Sequence, residues 1–496
     1  MRSILEKQKE IPVIATPDVL VVGSGPAGIA ASIASARTGA KTMLIERYGF
    51  IGGNLTTSMV NPIFTFHDIN GRQIIKGIAE ELILRMREQG SSPGHVTDLT
   101  FDNASMTPFD PEGCKVILFN MMEEAKVQLL LHTLVVNTQV EKGRILSVII
   151  ENKSGRQAIC PRYVIDCSGD ADVAVQAGAE YVCGKKEDGS MQPATLYFRI
   201  GGVNNAELRS WMKKNSHLLK GNPTEEEIDN QKAIAFLGMN HLVNDAIQSG
   251  DLDKEIAPRI LMYELPHGEF SINCTRLQNI NGSNADDLTK AEIRLRKQVI
   301  QVYHFIKKMI GGFENSYVVD TGIQVGIRET RHIVGDHILT EEEVLNGTSF
   351  IDGIACGTFA IDIHPPHGKE QIFTGSGKAV YEIPYRCMLP VGFHNLIVAG
   401  RSISATHTAA GSIRVMATCM AIGQAAGTSA AILSQKNCST REIDIPLLRK
   451  TLLNQGQYLL NEPISEEIDE RLVLKRVDGN GEMGGHYNPF SIKKIK

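Results

Sequence analysis

The sequence predicts an α/β protein built on a parallel sheet, and three observations carry that prediction. Four apolar residues, Val19 to Val22, run directly into Gly23-x-Gly25-x-x-Gly28. An Ala-rich stretch then leads to a second apolar run, Thr42 to Ile45, which ends on the acid Glu46. Far along the chain, residues 394–401 form another apolar run ending in Gly400-Arg401, followed closely by a long stretch of small residues at 411–433. Short apolar runs bounded by turn residues read as strands buried on both faces, and their alternation with helical stretches gives a parallel sheet.

Each part of the first segment has a physical task. Strand, glycines, helix, strand and acid fall in the order of a Rossmann-type dinucleotide site. Gly23 permits the tight turn, Gly25 lets the backbone approach a pyrophosphate, and Gly28 lets helix and strand pack closely. Ser24, Pro26 and Ala27 complete the turn, whose helix N-terminus offers free N–H groups and partial positive charge. Glu46 is placed to accept a ribose hydroxyl and would repel a 2′-phosphate, which disfavours NADP. This segment alone fits FAD and NAD equally. The run from Arg47 to Asn54 adds the paired glycines Gly52-Gly53, a turn that lets an extended cofactor pass close to the backbone. The Ala and Gly faces of 411–433 predict a helix packed closely on the helix at 29–37.

Composition bounds the rest. A chain of 496 residues can bury a large core and is expected to form more than one lobe. The net charge of −5 is small for this length, so neither nucleic acid nor an anionic membrane is expected as a partner. The N-terminus mixes charges and has no apolar stretch of signal-peptide length, so a cytoplasmic location is expected. The apolar region near 396–433 is broken by Arg401, His407 and Arg414 and is not expected to span a membrane. The nine cysteines include no pair two residues apart, which argues against zinc ribbons, ferredoxin-type clusters and thioredoxin-like motifs.

Several segments together resemble a known family. They are VVGSGPAGIAASIASARTGAKTMLIERYGFIGGNLT (21–56), PFDPEGCKVIL (108–118), YVIDCSGDADVAVQAGA (163–179), GIRETRHIVGDHILT (326–340), IDIHPP (361–366) and IPYRCMLPVGFHNLIVAGRSISATH (383–407). The chain resembles FAD-dependent oxidoreductases of the glutathione-reductase-like superfamily, and more narrowly the family that includes the flavoprotein subunit of heterodisulfide reductase. Nothing matches that subunit's closely spaced iron–sulfur cysteines, so no cluster is expected. The resemblance implies FAD as cofactor, hydride or electron transfer between flavin and a small organic substrate, and a discontinuous architecture. Its FAD-binding domain would use 17–60, 110–185 and 380–440. An inserted α+β substrate domain would use 61–109 and 186–379, and 441–496 would form a C-terminal helix and tail. Within the insertion, 195–201 and 320–334 read as strands, and 225–248 and 288–310 as helices.

The resemblance also assigns contacts. Gly23, Ser24, Gly25, Pro26, Ala27 and Gly28 would cradle the pyrophosphate, and Glu46, with Arg47 beside it, would hold the adenosine ribose. Gly52, Gly53 and Asn54 would flank the ribityl side, Val135 would meet adenine through its main chain, and Ser168-Gly169 would cover the adenine end. Gly400-Arg401 stands where many relatives carry Gly-Asp, and Arg401 could reach the pyrophosphate instead. Gly411 and Ser412 would open a helix aimed at the flavin pyrimidine, where it would stabilise the negative charge of the reduced ring.

For the chemistry, His407 is expected as a general base near the flavin, with Arg414 adding positive charge and His364 as a substrate contact. His67 is a further candidate. Arg328, Glu329 and Arg331 read more readily as a structural ion-pair group than as a carboxylate clamp. No metal site is expected, because the Pro-Pro between His364 and His367 holds those side chains apart in an extended path. Gly375-Ser-Gly377 lies in a polar loop rather than in a second nucleotide fingerprint. A redox partner protein that takes electrons from the flavin is the alternative function, and a homo-oligomer is left open.

Overall fold

The computed structural model describes residues 3–5, 8–98, 100–101, 103–364, 372–374, 379–462 and 468–473. His367, Pro365-Pro366, the Gly375–Gly377 loop and most of the C-terminal tail lie outside the described residues.

A five-stranded sheet positions everything else. Its order is Leu396–Val398, Tyr163–Asp166, Val19–Val22, Thr42–Ile45, Gln128–Leu130, and every neighbouring pair is parallel. The three central strands are buried along their whole length, because both faces are covered. Val19, Val21 and Leu44 point into a core shared with the helices, while Leu20, Val22, Met43 and Ile45 meet Ile145, Val148 and Ile150. Those last residues belong to a second sheet, in which Leu134–Glu141, Arg144–Asn152 and Gly155–Ile159 run antiparallel and Val13–Ala15 joins the edge.

On the helical side, Pro26–Arg37 lies against Met416–Lys436. A Cβ on Gly423 would stand 2.1 Å from the carbonyl oxygen of Ala27, and one on Gly427 would stand 2.0 Å from that of Ala31. The two backbones touch. The long helix has the length and apolarity of a membrane span, but its apolar stretch, Met416 to Ser434, is buried within the protein.

The inserted lobe has its own core. An antiparallel sheet, ordered Ala235–Gly238, Ile260–Glu264, Phe270–Ile272, Phe198–Gly201, Tyr317–Thr321, belongs to it. The 25-residue helix Ala285–Met309 sends Ala291, Leu295, Val299, Val302 and Ile306 into the same core, a spacing that makes one helical stripe. The Asn284 side chain caps its start by accepting from the Asp286 and Asp287 amides.

Several sequence expectations need correction. The helix expected over 225–248 is a short helix, Glu225–Asp229, then the strand Ala235–Gly238, then the helix Asn240–Ser249. Pairing with Ile260–Glu264 draws the middle of that segment into the sheet. The strand expected over 320–334 is two strands, Tyr317–Thr321 and Arg331–Ile333. Between them Val325 and Ile327 are buried while Ile323 is exposed. Residues 61–109 and 339–379, expected in the substrate domain, send Ile63, Phe66, Leu82, Leu339 and Ile354 into the nucleotide-binding core. Gln424 of the long helix secures this arrangement by accepting from the Ile78 amide at 2.9 Å.

The helix–helix contact leaves no room for a side chain. Gly427→Val is expected to destabilise the fold by about 1–3 kcal/mol or more through overpacking. It should be read as a lower urea midpoint with an unchanged slope.

Candidate functional site

A cleft of about 1140 Å³ runs along the C-terminal ends of the parallel strands, the usual ligand site of such sheets. The turn Gly23–Ala27 forms its floor. A Cβ on Gly28 would lie 1.9 Å from the Gly23 carbonyl oxygen, so the helix starts hard against the strand end. Gly25 is the N-cap and supplies no side-chain cap, and a Cβ there would meet nothing within 4 Å. The first-turn amides therefore face an open space.

Glu46 is fixed beside this turn. Ser24 donates to Oε2 from its amide (2.9 Å) and hydroxyl (2.5 Å), and the Tyr48 amide donates to Oε1 at 3.0 Å. A carboxylate has about four acceptor positions, so Oε1 keeps one for a ligand hydroxyl. Arg47 and Tyr48 both donate to Gln324 of the inserted lobe, closing this end of the cleft. Gly53 sits where a Cβ would come within 2.6 Å of the Gly25 Cα, so the second glycine segment packs directly on the first. Farther along, Arg401 pairs with Asp170 at 2.7 Å, its guanidinium lying over Gly169. The Arg401 Nε is buried with no protein partner.

A second cavity of about 900 Å³ opens beside the first, and Asn54, Arg401, Arg414 and Met416 line both. Its wall combines Phe64, Phe101, Phe359 and Tyr263 with Arg259, Arg328, Asp362 and His364. Arg414 donates to the Asp362 carboxylate and carbonyl, both at 3.0 Å. The Nε2 of His364 lies 3.3 Å from Asp362 Oδ2. Burial, reinforced by Arg328 and Arg259, outweighs that carboxylate and pushes His364 down to about 3, so its ring is neutral at ordinary pH. Arg328 donates to the Pro193 carbonyl and the Thr195 hydroxyl, and burial, with Arg414 nearby, lowers it to about 10.

A family model for FAD dependent oxidoreductases matches residues 18–452. The chain belongs to that family. It is an FAD-dependent oxidoreductase, with an FAD-binding Rossmann-like fold and FAD as cofactor. No curated protein sequence matches it. Among solved structures, a geranylgeranyl bacteriochlorophyll reductase-like protein from Thermoplasma acidophilum is 13% identical with a TM-score of 0.45, the alignment covering 90% of this chain and 84% of that one. The p-nitrophenol 4-monooxygenase PnpA from Pseudomonas putida DLL-E4 is 9% identical with a TM-score of 0.44, over 90% of this chain and 87% of its own. The cleft suits FAD on its own chemistry: uncapped amides, an acid with a spare acceptor position and an arginine with an unused donor.

The structure gathers most of the expected cofactor residues around the cleft. Gly23, Ser24, Gly25, Pro26, Ala27, Glu46, Arg47, Gly53, Asn54, Val135, Ser168, Gly169, Gly400 and Arg401 line it, with Gly28 and Gly52 just behind. Gly411 and Ser412 do not line it. The helix expected from residue 411 is broken at Arg414, and the long helix starts at Met416 with extended Val415 as its cap. Gly411 packs instead on the Asp362 backbone, and Ser412 bonds to Tyr381 and Phe359. His407 lines neither cavity. Its Nδ1 meets Glu329 at 2.8 Å, and His332 lies 3.4 Å from the same oxygen. Burial would raise Glu329, but the two histidines outweigh it and hold the carboxyl down at about 2. His67 bonds Ser105 and meets the His95 ring edge to face, outside both linings. Arg259, Tyr197 and Asn273 were not legible as site residues, because nothing near them in sequence marks them. Asp170 could have been found from its place in the Cys167–Asp170 turn.

His364 gives the fold a pH signature. The unfolded imidazole binds a proton near pH 6.5, whereas the folded one resists until about pH 3. Below 6.5 the unfolded state therefore holds the extra proton, and stability falls with pH by up to about 1.4 kcal/mol per unit. Glu329 adds a loss in the same direction from its ordinary 4.5 down to about 2. Between pH 6 and 5, above the window in which Glu329 titrates, the melting temperature of His364→Asn should gain on that of the parent as pH falls; Asp98 and Asp172, raised by burial to about 6, act in the opposite sense but equally in both proteins.

Proposed function

We propose that this enzyme oxidises or reduces a small organic molecule held in the 900 Å³ cavity, with Arg414 and His364 as the working side chains. The observation that carries this reading is the shared wall: Asn54, Arg401, Arg414 and Met416 face both the cofactor cleft and the second cavity. Bound FAD supplies hydride or electron exchange with that molecule.

The protein's own residues divide the remaining work. The glycine turn and its helix N-terminus bind the pyrophosphate, Glu46 takes the adenosine ribose, and Arg401, steadied by Asp170, adds a cation at the turn. The long helix begins at Met416 without a side-chain cap, so its N-terminus stabilises negative charge arising at the junction of the two cavities. Arg414, one residue before the cap, adds a full charge there and is oriented by Asp362. Neutral His364 can accept or donate a proton, with Asp362 orienting its ring. The phenylalanine and tyrosine wall excludes water around the reacting atoms. His407 acts on this arrangement from outside, by anchoring Glu329 at the start of the helix His407–Ile413.

Glu46→Ala is expected to weaken FAD retention about tenfold or more, the worth of one charge-assisted hydrogen bond, measured as flavin content after dialysis. Under anaerobic conditions, a substrate panel should bleach the yellow protein alone. Arg414→Gln or His364→Asn should slow bleaching at least tenfold with flavin content unchanged. Bleaching that occurs only after a second protein is added would defeat this reading in favour of an electron-transfer subunit.

A further inference from the structure

Much of the wall that the inserted lobe gives to the second cavity is one face of its sheet. Along the segment that leads into Phe198–Gly201, Ala194, Leu196, Phe198 and Ile200 enter the lobe's core, while Thr195 and Tyr197 line the cavity. The same alternation sends Ile260 and Met262 to the core and Leu261 and Tyr263 to the cavity. Asn273 lies between the core residues Ile272 and Cys274, so it too faces the cavity, its backbone amide donating to the Leu261 carbonyl at 2.9 Å. Side chains alternate across a strand, so this period sorts a few polar groups onto an otherwise apolar wall.

Thr195, Tyr197 and Tyr263 bring hydroxyls to that face, and each hydroxyl has one proton to place. Tyr263 lies 2.9 Å from the Thr100 hydroxyl, which already donates to the Asp98 carboxylate at 2.8 Å. Tyr263 is therefore the donor of that pair, and its proton is spent. Tyr197 stands the other way round. Its oxygen accepts from Asn273 Nδ2 at 2.6 Å, and none of the described residues takes its proton. Thr195 also accepts, from Arg328 at 2.6 Å, but its short side chain keeps that hydroxyl at the strand. Burial pushes Tyr197 up to about 12 against the pull of Arg328 and Arg414, so its proton stays in place at any ordinary pH. A buried donor without an acceptor is costly, and the occupant of the cavity is the group placed to supply one.

We propose that the cavity takes an apolar carbonyl compound whose oxygen accepts the Tyr197 hydroxyl, with Asn273 positioning that hydroxyl and the hydrocarbon body lying against the aromatic wall. The proposal rests on the reading of this cavity as the substrate site. The wall suits such a body: the Phe64 ring meets Phe101 and Phe359 at 5.8 Å between centroids and Tyr263 at 6.3 Å. A donor aimed at a carbonyl oxygen draws electron density onto it and leaves the carbon end more open to reduction. Tyr197 also sets specificity, because a compound without the oxygen leaves the hydroxyl unpaired in an apolar space.

The test uses the FAD-loaded protein with acetophenone and its isostere α-methylstyrene, in which a methylene group replaces the carbonyl oxygen. Calorimetry reads affinity, infrared difference spectroscopy reads the carbonyl stretch of the bound ketone, and visible absorbance reads contact with the flavin. Tyr197→Phe should weaken acetophenone about tenfold and leave α-methylstyrene within about twofold, with flavin content unchanged. The carbonyl stretch, lowered by the hydrogen bond in the unaltered protein, should return in that variant toward its value in an apolar solvent. Asn273→Leu, which keeps the hydroxyl but releases it, should fall between, and Thr195→Val should keep the low stretch. The proposal is overturned if acetophenone does not bind, if Tyr197→Phe keeps full affinity and the low stretch, or if it weakens both probes equally. A loss that follows Asn273→Leu or Thr195→Val but not Tyr197→Phe moves the donor to another group and overturns it as well. A Tyr197-dependent stretch with an unchanged flavin spectrum would uphold the donor and overturn instead the placement of this cavity beside the flavin. A flavin shift without dependence on Tyr197 would do the reverse.

Discussion

The contact on which the rest of the structure depends is the one between Pro26–Arg37 and Met416–Lys436. Ala27 meets Gly423 and Ala31 meets Gly427, so the helices run in the same direction with their backbones touching. Parallel helix dipoles repel, and only side-by-side packing of small residues makes the arrangement favourable. The long helix starts seven residues before Gly423, which extends it about 10 Å beyond the level of Ala27 at 1.5 Å per residue. Two helix N-termini therefore stand at different depths along one crevice. The nearer opens from the glycine turn Gly23–Gly28, and the farther reaches the junction with the second cavity. Residues nearly 400 positions apart are held in register by the absence of two side chains.

Charge follows that geometry. Although the chain is net negative, its arginines gather where the two cavities meet and around the second. Each carboxylate nearby has a specific duty: Asp170 holds Arg401, Asp362 holds Arg414, and Glu329 is held between two histidines. Glu46 stands apart from these pairs and is satisfied by main-chain amides and a hydroxyl, which leaves it available to a ribose.

The cofactor half of this arrangement was legible in the sequence because its signals are local. Strand, glycine turn, helix and Glu46 all fall within residues 19–46, and the small-residue stretch announced close helix packing. What escaped depended on tertiary contacts. Asp362 and the sheet-side packing of Gly411 draw the chain out of helix at Arg414, so one apparent helix is two. Residues 235–238 leave a helical pattern because a neighbouring strand needs a partner. His407 follows the Gly400-Arg401 turn closely in sequence, yet the helix it starts faces Glu329 rather than the cleft. Arg259 carries no local mark at all, since its meaning comes from Arg328 and His364 far along the chain.

The inserted lobe has one further property. The chain leaves the nucleotide-binding frame through Tyr181–Cys183 and returns through Arg331–Ile333, and these two strands are antiparallel partners with Cys183 opposite Arg331. Seen from the frame, nearly 150 residues amount to one long hairpin loop with its ends already joined. Closing such a loop costs little more as it grows, about 0.6 kcal/mol for each doubling of length. The excursion, which contributes Thr195, Tyr197, Arg259 and Arg328 to the second cavity, can therefore be resized or exchanged at a single seam, whereas Phe64, Phe359, Asp362, His364 and Arg414 on the same wall stay with the cofactor frame.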